Sequence, residues 1–101
     1  MIWTARARAD LKAIHDYIAK ESSQEARRIV HEMRRKAEEL VETPHLGRVV
    51  PELNDPTVRE IHAYSWRILY YLRDAQVFVL TVIHKRRQPN PADVAPRTSR
   101  D

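Results

Sequence analysis

Apolar residues in this chain follow two periods, helical first and then strand-like. Ala7, Leu11, Ile14, Tyr17 and Ile18 recur at helical spacing, while Arg8, Lys12, His15, Asp16 and Lys20 face away. The spacing predicts a helix over Ala7–Lys20, with Asp10 in a first turn whose dipole suits a negative charge. The pattern breaks at Glu21–Ser23. Ser22 followed by Glu25 has the spacing of a capping box, in which serine and glutamate each satisfy free amide donors at a helix start. A second helix is predicted from there to about Glu42, with Ala26, Ile29, Val30, Met33, Ala37, Leu40 and Val41 on one stripe and Pro44 as its stop. So short a link makes the two helices an antiparallel pair. Their outer faces mix arginine with glutamate and read as solvated surface.

Beyond Pro44 the period shortens. Gly47 is the sole glycine and is expected in a backbone conformation that other residues avoid. Val49–Leu53 reads as a short strand, kept by Pro51 to a sheet edge or a loop. Asn54-Asp55-Pro56 is a turn. Thr57–Ala63 alternates, with Arg59, Ile61 and Ala63 on one face and Val58, Glu60 and His62 on the other. Trp66–Leu72 and Val77–Ile83 are apolar runs joined by Arg73-Asp74-Ala75-Gln76, a hairpin. The second run is rich in β-branched residues and nearly unbroken, the mark of a strand covered on both faces. Met1–Thr4 supplies a brief edge strand. The polar, Pro-containing stretch 88–101 lacks periodicity and is expected to be a frayed tail after a single domain over residues 1–87. The expected order is β-α-α-β-β-β. The fold class is α+β: an N-terminal helical hairpin packed on a small, mainly antiparallel twisted sheet, in two layers.

The chain has 101 residues and no cysteine, which excludes disulfides and thiolate metal sites and is compatible with the cytoplasm. The start, MIWTARARADL, carries no long apolar run, so neither a signal peptide nor a membrane span is expected. Net charge is +4. The excess lies in residues 44–101, which hold nine Lys/Arg against six Asp/Glu, whereas residues 1–43 hold nine against eight. The second half is therefore the better candidate for an acidic partner, nucleic acid or protein. Arg67 interrupts an apolar strand and needs an anion, a partner or solvent. His84, Lys85, Arg86 and Arg87 place charge at the exit of the most buried strand. The five histidines show no ligand spacing with carboxylates, so neither a metal nor a cofactor is expected.

The ordered set ARADLKAIHDYIA, ETPHLGR, VPELNDPTVREI, WRILYYL and VFVLTVIHKRR resembles the RelE/ParE superfamily, the toxins of bacterial type II toxin–antitoxin modules. The resemblance spans residues 1–87. It implies a cognate antitoxin that wraps the toxin as a hetero-oligomer, and one of two activities. ParE-like members inhibit DNA gyrase without a nuclease site. RelE-like members cut mRNA on the ribosome, which requires a base, cations on the phosphate and an acid for the leaving oxygen. For that chemistry the resemblance nominates Glu52 as base, Arg59 and Arg67 as phosphate clamps, and His84 or Arg86 near the leaving group. The first helix and the ending IHKRR are closer to ParE-like members. Under that reading no residue is catalytic, and Arg59, Trp66, Arg67, His84, Lys85, Arg86 and Arg87 form a surface for target or antitoxin. Each residue also has a plainer role: Glu52 as an edge carboxylate, Arg59 paired with Glu60, Arg67 in a structural ion pair, His84 as a strand-end histidine, and Trp3 and Trp66 as core or antitoxin-facing aromatics.

Overall fold

The computed structural model describes residues 1–95. Strand β1 (Ile2–Trp3) leads into helices α1 (Ala5–Ala19) and α2 (Ser23–Glu38), the second extended by a 3-10 turn at Glu39–Val41. Four strands follow: β2 (Arg48–Val49), β3 (Val58–Ala63), β4 (Trp66–Arg73) and β5 (Gln76–His84). Their spatial order is β1-β5-β4-β3-β2, with β1 parallel to β5 and every other pair antiparallel. This is the expected α+β hairpin-on-sheet, with one strand more than the expected order because β2, beside the stretch read as edge strand or loop, pairs with β3.

The helices start where side-chain oxygens can hold their first amides. Thr4 caps α1, its hydroxyl accepting from the Ala7 amide at 3.2 Å and donating to the Val79 carbonyl at 2.9 Å. The helix therefore begins two residues earlier than predicted, and Asp10 falls outside its first turn. The Asp10 carboxylate serves the sheet instead. It accepts from the Thr81 hydroxyl and, at 3.0 Å, from the Val82 amide, on a stretch of β5 that β1 is too short to pair. At α2 the Ser22 hydroxyl accepts from the Glu25 amide at 3.1 Å. The Glu25 side chain turns to Arg28.

One core lies between the helices and the sheet, formed by Ala7, Leu11, Ile14, Ile29, Met33, Ile68, Val79 and Val82 among others. Tyr17 does not join it and is 69% exposed. It lies about a quarter turn from the centre of the Ala7–Leu11–Ile14–Ile18 stripe. Val41 is exposed too, because the change to a 3-10 turn takes it off the α2 stripe. On the opposite sheet face Leu69, Tyr71, Phe78, Leu80 and Ile83 pack with Val50, Leu53, Val58 and Val94. Both faces of β5 are thus covered, as its sequence predicted. A β-bulge makes this possible: the register steps from Leu69↔Thr81 to Tyr70↔Val79 and leaves Leu80 as the extra residue. Val79 and Val82, three apart, consequently reach the same helix-side core.

Three loop expectations are corrected. Val49–Leu53 is not one strand: β2 ends at Val49, and Pro51 lies in the turn that carries Val50 and Leu53 into the far-side core. Gly47 has no positive φ. Its requirement is space, since a Cβ there would stand 2.5 Å from the Glu60 carbonyl oxygen and 2.7 Å from the Tyr70 hydroxyl. The left-handed positions go instead to Asn54, Tyr64, Asp74 and Ala75, the last two forming the tight β4–β5 turn.

The third correction concerns the C-terminal segment. Residues 88–95 are not frayed. Asn90 and Asp93 form a reciprocal capping box around a 3-10 turn at Pro91–Val94, and Val94 is buried. Asp93, 2% exposed, accepts from Arg6 at 2.8 Å, Arg87 at 2.7 Å and the Asn90 amide at 2.8 Å. The remainder of the expected tail, 96–101, lies outside the described residues.

Gly47→Ala is expected to lower stability by about 1–3 kcal/mol, read as a reduced urea midpoint with an unchanged denaturant slope. An unaltered midpoint would refute the close-approach account.

Candidate functional site

Alternation along β3 and β4 puts Glu60 and Arg67 on the sheet face away from the helices. There they meet the β2–β3 turn, which carries Glu52. Arg67 is 4% exposed and Glu60 1%. The Arg67 Nε donates to Glu60 Oε1 at 2.6 Å and its Nη2 to Glu60 Oε2 at 3.1 Å. Its Nη1 and Nη2 also donate to Glu52 Oε2 and Oε1, at 2.8 and 2.7 Å. One guanidinium thus grips two carboxylates, each by two bonds. The Arg48 Nε adds a bond to Glu60 Oε2 at 3.0 Å, and His62 Nε2 lies 3.3 Å from Glu60 Oε1.

This arrangement sets the protonation states. Burial is the largest influence on Glu60 and pushes its pKa up, but the bonds and charges of Arg67 and Arg48 together outweigh it and hold the carboxyl below its ordinary value. The Arg67 hydrogen bonds likewise hold Glu52 low, and the two carboxylates raise Arg67 further above its already high pKa. A carboxylate locked as an anion on a guanidinium is a poor proton acceptor, and Arg67 has few donors left for a phosphate.

The other nominated residues do not converge on this cluster. Arg59 is in register with Tyr70, so it lies on the opposite sheet face from Arg67. Its Nη1 donates to the Gly47 carbonyl at 2.6 Å, not to Glu60. His84 pairs with Trp66 on the helix-side face, their ring centroids 6.2 Å apart at an interplanar angle of 77°. Arg87 is committed to Asp93. Lys85 and Arg86 are exposed and have no ion pair among the described residues. The nuclease set is therefore split: Glu52 and Arg67 bind each other, Arg59 lies across the sheet, and His84 sits beside α1. No group of three or more His, Cys, Asp or Glu among the described residues could hold a metal ion, and none of their helices is long and apolar enough to cross a membrane.

The places of Glu60, Asn90, Asp93 and Tyr17 were missed by sequence reasoning. Glu60 shares a face with Val58 in the alternating strand, a signal that its carboxylate would be buried. The Asn90-x-x-Asp93 spacing was a readable cap. The quarter-turn offset of Tyr17 from the Ala7–Leu11–Ile14–Ile18 stripe was the signal of its exposure.

Arg67→Ala leaves Glu60 enclosed with only the half-exposed Arg48 and His62 beside it and should cost about 3–5 kcal/mol in chemical denaturation. A loss below about 1 kcal/mol would refute the buried-pair account. Glu52, Glu60 and Asp93 all have folded pKa values below their ordinary ones. The unfolded chain therefore binds more protons in acid, so their contribution is present above about pH 4.3 and fades as pH falls through the folded values. Glu52→Gln should flatten the fall in Tm between about pH 5 and 3; an unchanged slope would contradict the assignment.

The family model described as the ParE toxin of the type II toxin–antitoxin system parDE matches residues 1–89. Toxin RelE2 of Caulobacter vibrioides is 36% identical over 88 residues, covering 86% of this chain and 96% of that protein. A solved structure described as the chromosomal ParDE TA system from P. aeruginosa shares the fold, with a TM-score of 0.69 at 22% identity over 81% of this chain and 90% of that one. With a helical hairpin on this sheet and a family match that runs from β1 past the strand-exit cations, the chain belongs to the ParE toxin family of type II toxin–antitoxin systems, within the RelE/ParE superfamily.

Proposed function

We propose that this toxin acts in the cytoplasm as a binding inhibitor of DNA gyrase and is neutralised by direct contact with a cognate antitoxin in a hetero-oligomer. The observation that carries the reading is the fate of the nominated nuclease groups. General-base cleavage needs a free carboxylate or imidazole, cations on one phosphate and an acid on the far side, all within hydrogen-bond reach of the substrate. Here Glu52 and Arg67 neutralise each other, while Arg59 and His84 lie on the other face of the sheet. What remains for a partner is the strand exit. Trp66 is half-buried, and His84, Lys85 and Arg86 are exposed. This surface suits contact without chemistry. The antitoxin is supported by membership in a family defined by paired modules and by the solved relative, described as a ParDE TA system.

A second reading, ribosome-dependent mRNA cleavage, draws on the name of the relative Toxin RelE2. The readings separate on induction of the toxin alone. Gyrase inhibition predicts loss of plasmid supercoiling and DNA breaks with intact transcripts, and Glu52→Gln should inhibit growth to within about threefold of the wild type. Codon-phased transcript cuts without DNA damage, abolished by Glu52→Gln, would establish the nuclease instead.

A further inference from the structure

Beside the strand exit is a pocket of about 460 Å³ lined by Ala13, Ile14 and Tyr17 from α1, Ser65 from the β3–β4 turn, and Trp66 and His84 from the strand ends. Half of this lining carries rings. Tyr17 was expected in the core but presents its ring to solvent, with Lys20 Nζ 5.9 Å from the ring centroid. Trp66 and His84 stand edge to face. The Arg86 amide donates to His84 Nδ1 at 3.1 Å, so the Nε2 of the neutral ring carries its proton and remains a donor. Lys85 is held against the pocket wall, its amide donating to the Ser65 carbonyl at 2.8 Å. Its charge and that of Arg86 have no carboxylate among the described residues, unlike Arg28 and Arg35 on α2, which pair with glutamates.

Aromatic rings lining a pocket beside uncompensated cations fit a planar base joined to a phosphate. We propose that Tyr17, Trp66 and His84 form a stacking pocket for an unstacked base of a single-stranded nucleic acid segment, with Lys85 and Arg86 on its phosphates. Charge complementarity chooses this occupant over an apolar side chain, which would leave both cations unanswered. The inference deepens the gyrase–DNA reading by naming what the strand exit touches, and rests on that reading for its biological setting.

The test uses the full chain and two probes, fluorescein-labelled oligothymidylate and oligouridylate, followed by anisotropy. In a Trp3→Phe background the Trp66 emission gives a second readout of stacking. The expected result is salt-dependent binding with quenched Trp66 emission. Tyr17→Ala should weaken it by about tenfold or more and Tyr17→Phe should restore it, while Lys85→Gln with Arg86→Gln should make the log–log salt slope shallower by about 1.4. Tighter binding of the ribo- than of the deoxy-oligomer would assign the pocket to RNA, the reverse to DNA; either supports a nucleic-acid site. Absence of binding at low salt, equal affinity for Tyr17→Ala, or binding of an acidic leucine-containing peptide in place of both oligomers would overturn the proposal. Supercoiling assays judge the gyrase reading separately: oligomer binding by a wild type that leaves supercoiling untouched refutes the gyrase reading alone, and gyrase inhibition by a wild type that binds neither oligomer refutes the pocket alone.

Discussion

The molecule is built around a strand that must be dry on both sides. Every side chain of β5 from Val77 to Ile83 is buried, and few arrangements achieve that in so short a chain. The helical hairpin closes one face. The other is closed by irregular chain, the β2–β3 turn carrying Val50 and Leu53 and the C-terminal turn carrying Val94. Irregular segments have no ladder to hold them, so each is fastened by charge. Glu52 fastens the first through Arg67, and Asp93 fastens the second through Arg6 and Arg87. The polar clusters of this protein follow from its apolar core.

That dependence bears on function. The Arg67–Glu60 pair is enclosed, and Glu52, though exposed, is held by both Nη groups of the same guanidinium. The residues that look most like a catalytic base and a phosphate clamp are thereby engaged in holding the far-side turn. The cations left over sit at the end of β5, where the strand leaves the core and Lys85 and Arg86 meet solvent beside the ring-lined wall of α1 and β4. The buried Arg67 cluster and these uncompensated cations therefore lie apart, the first on the far sheet face and the second at the strand exit.

The fold was largely readable because it rests on periodicity. Helical and alternating patterns report which side of an element is dry, and they placed α1, α2, β3, β4 and β5 to within a few residues. Local spacing also marked Ser22 as a cap. It misled where two local rules competed. A lone glycine suggested a left-handed turn, whereas Gly47 is needed because the Glu60 carbonyl and the Tyr70 ring press against its α-carbon. Proline and polar residues suggested a loose end, whereas one aspartate and one valine hold the 88–95 segment to the body.

By itself, then, the sequence determined the layer architecture, the doubly covered strand β5 and the basic strand exit, since each depends on residues close together in the chain. Tertiary structure alone decided which charges meet. Arg67 could have faced solvent, a ligand or a partner; it faces Glu52 and Glu60, fifteen and seven positions away. Such choices depend on how two faces pack across a sheet, and no local pattern along the chain encodes the distance between them.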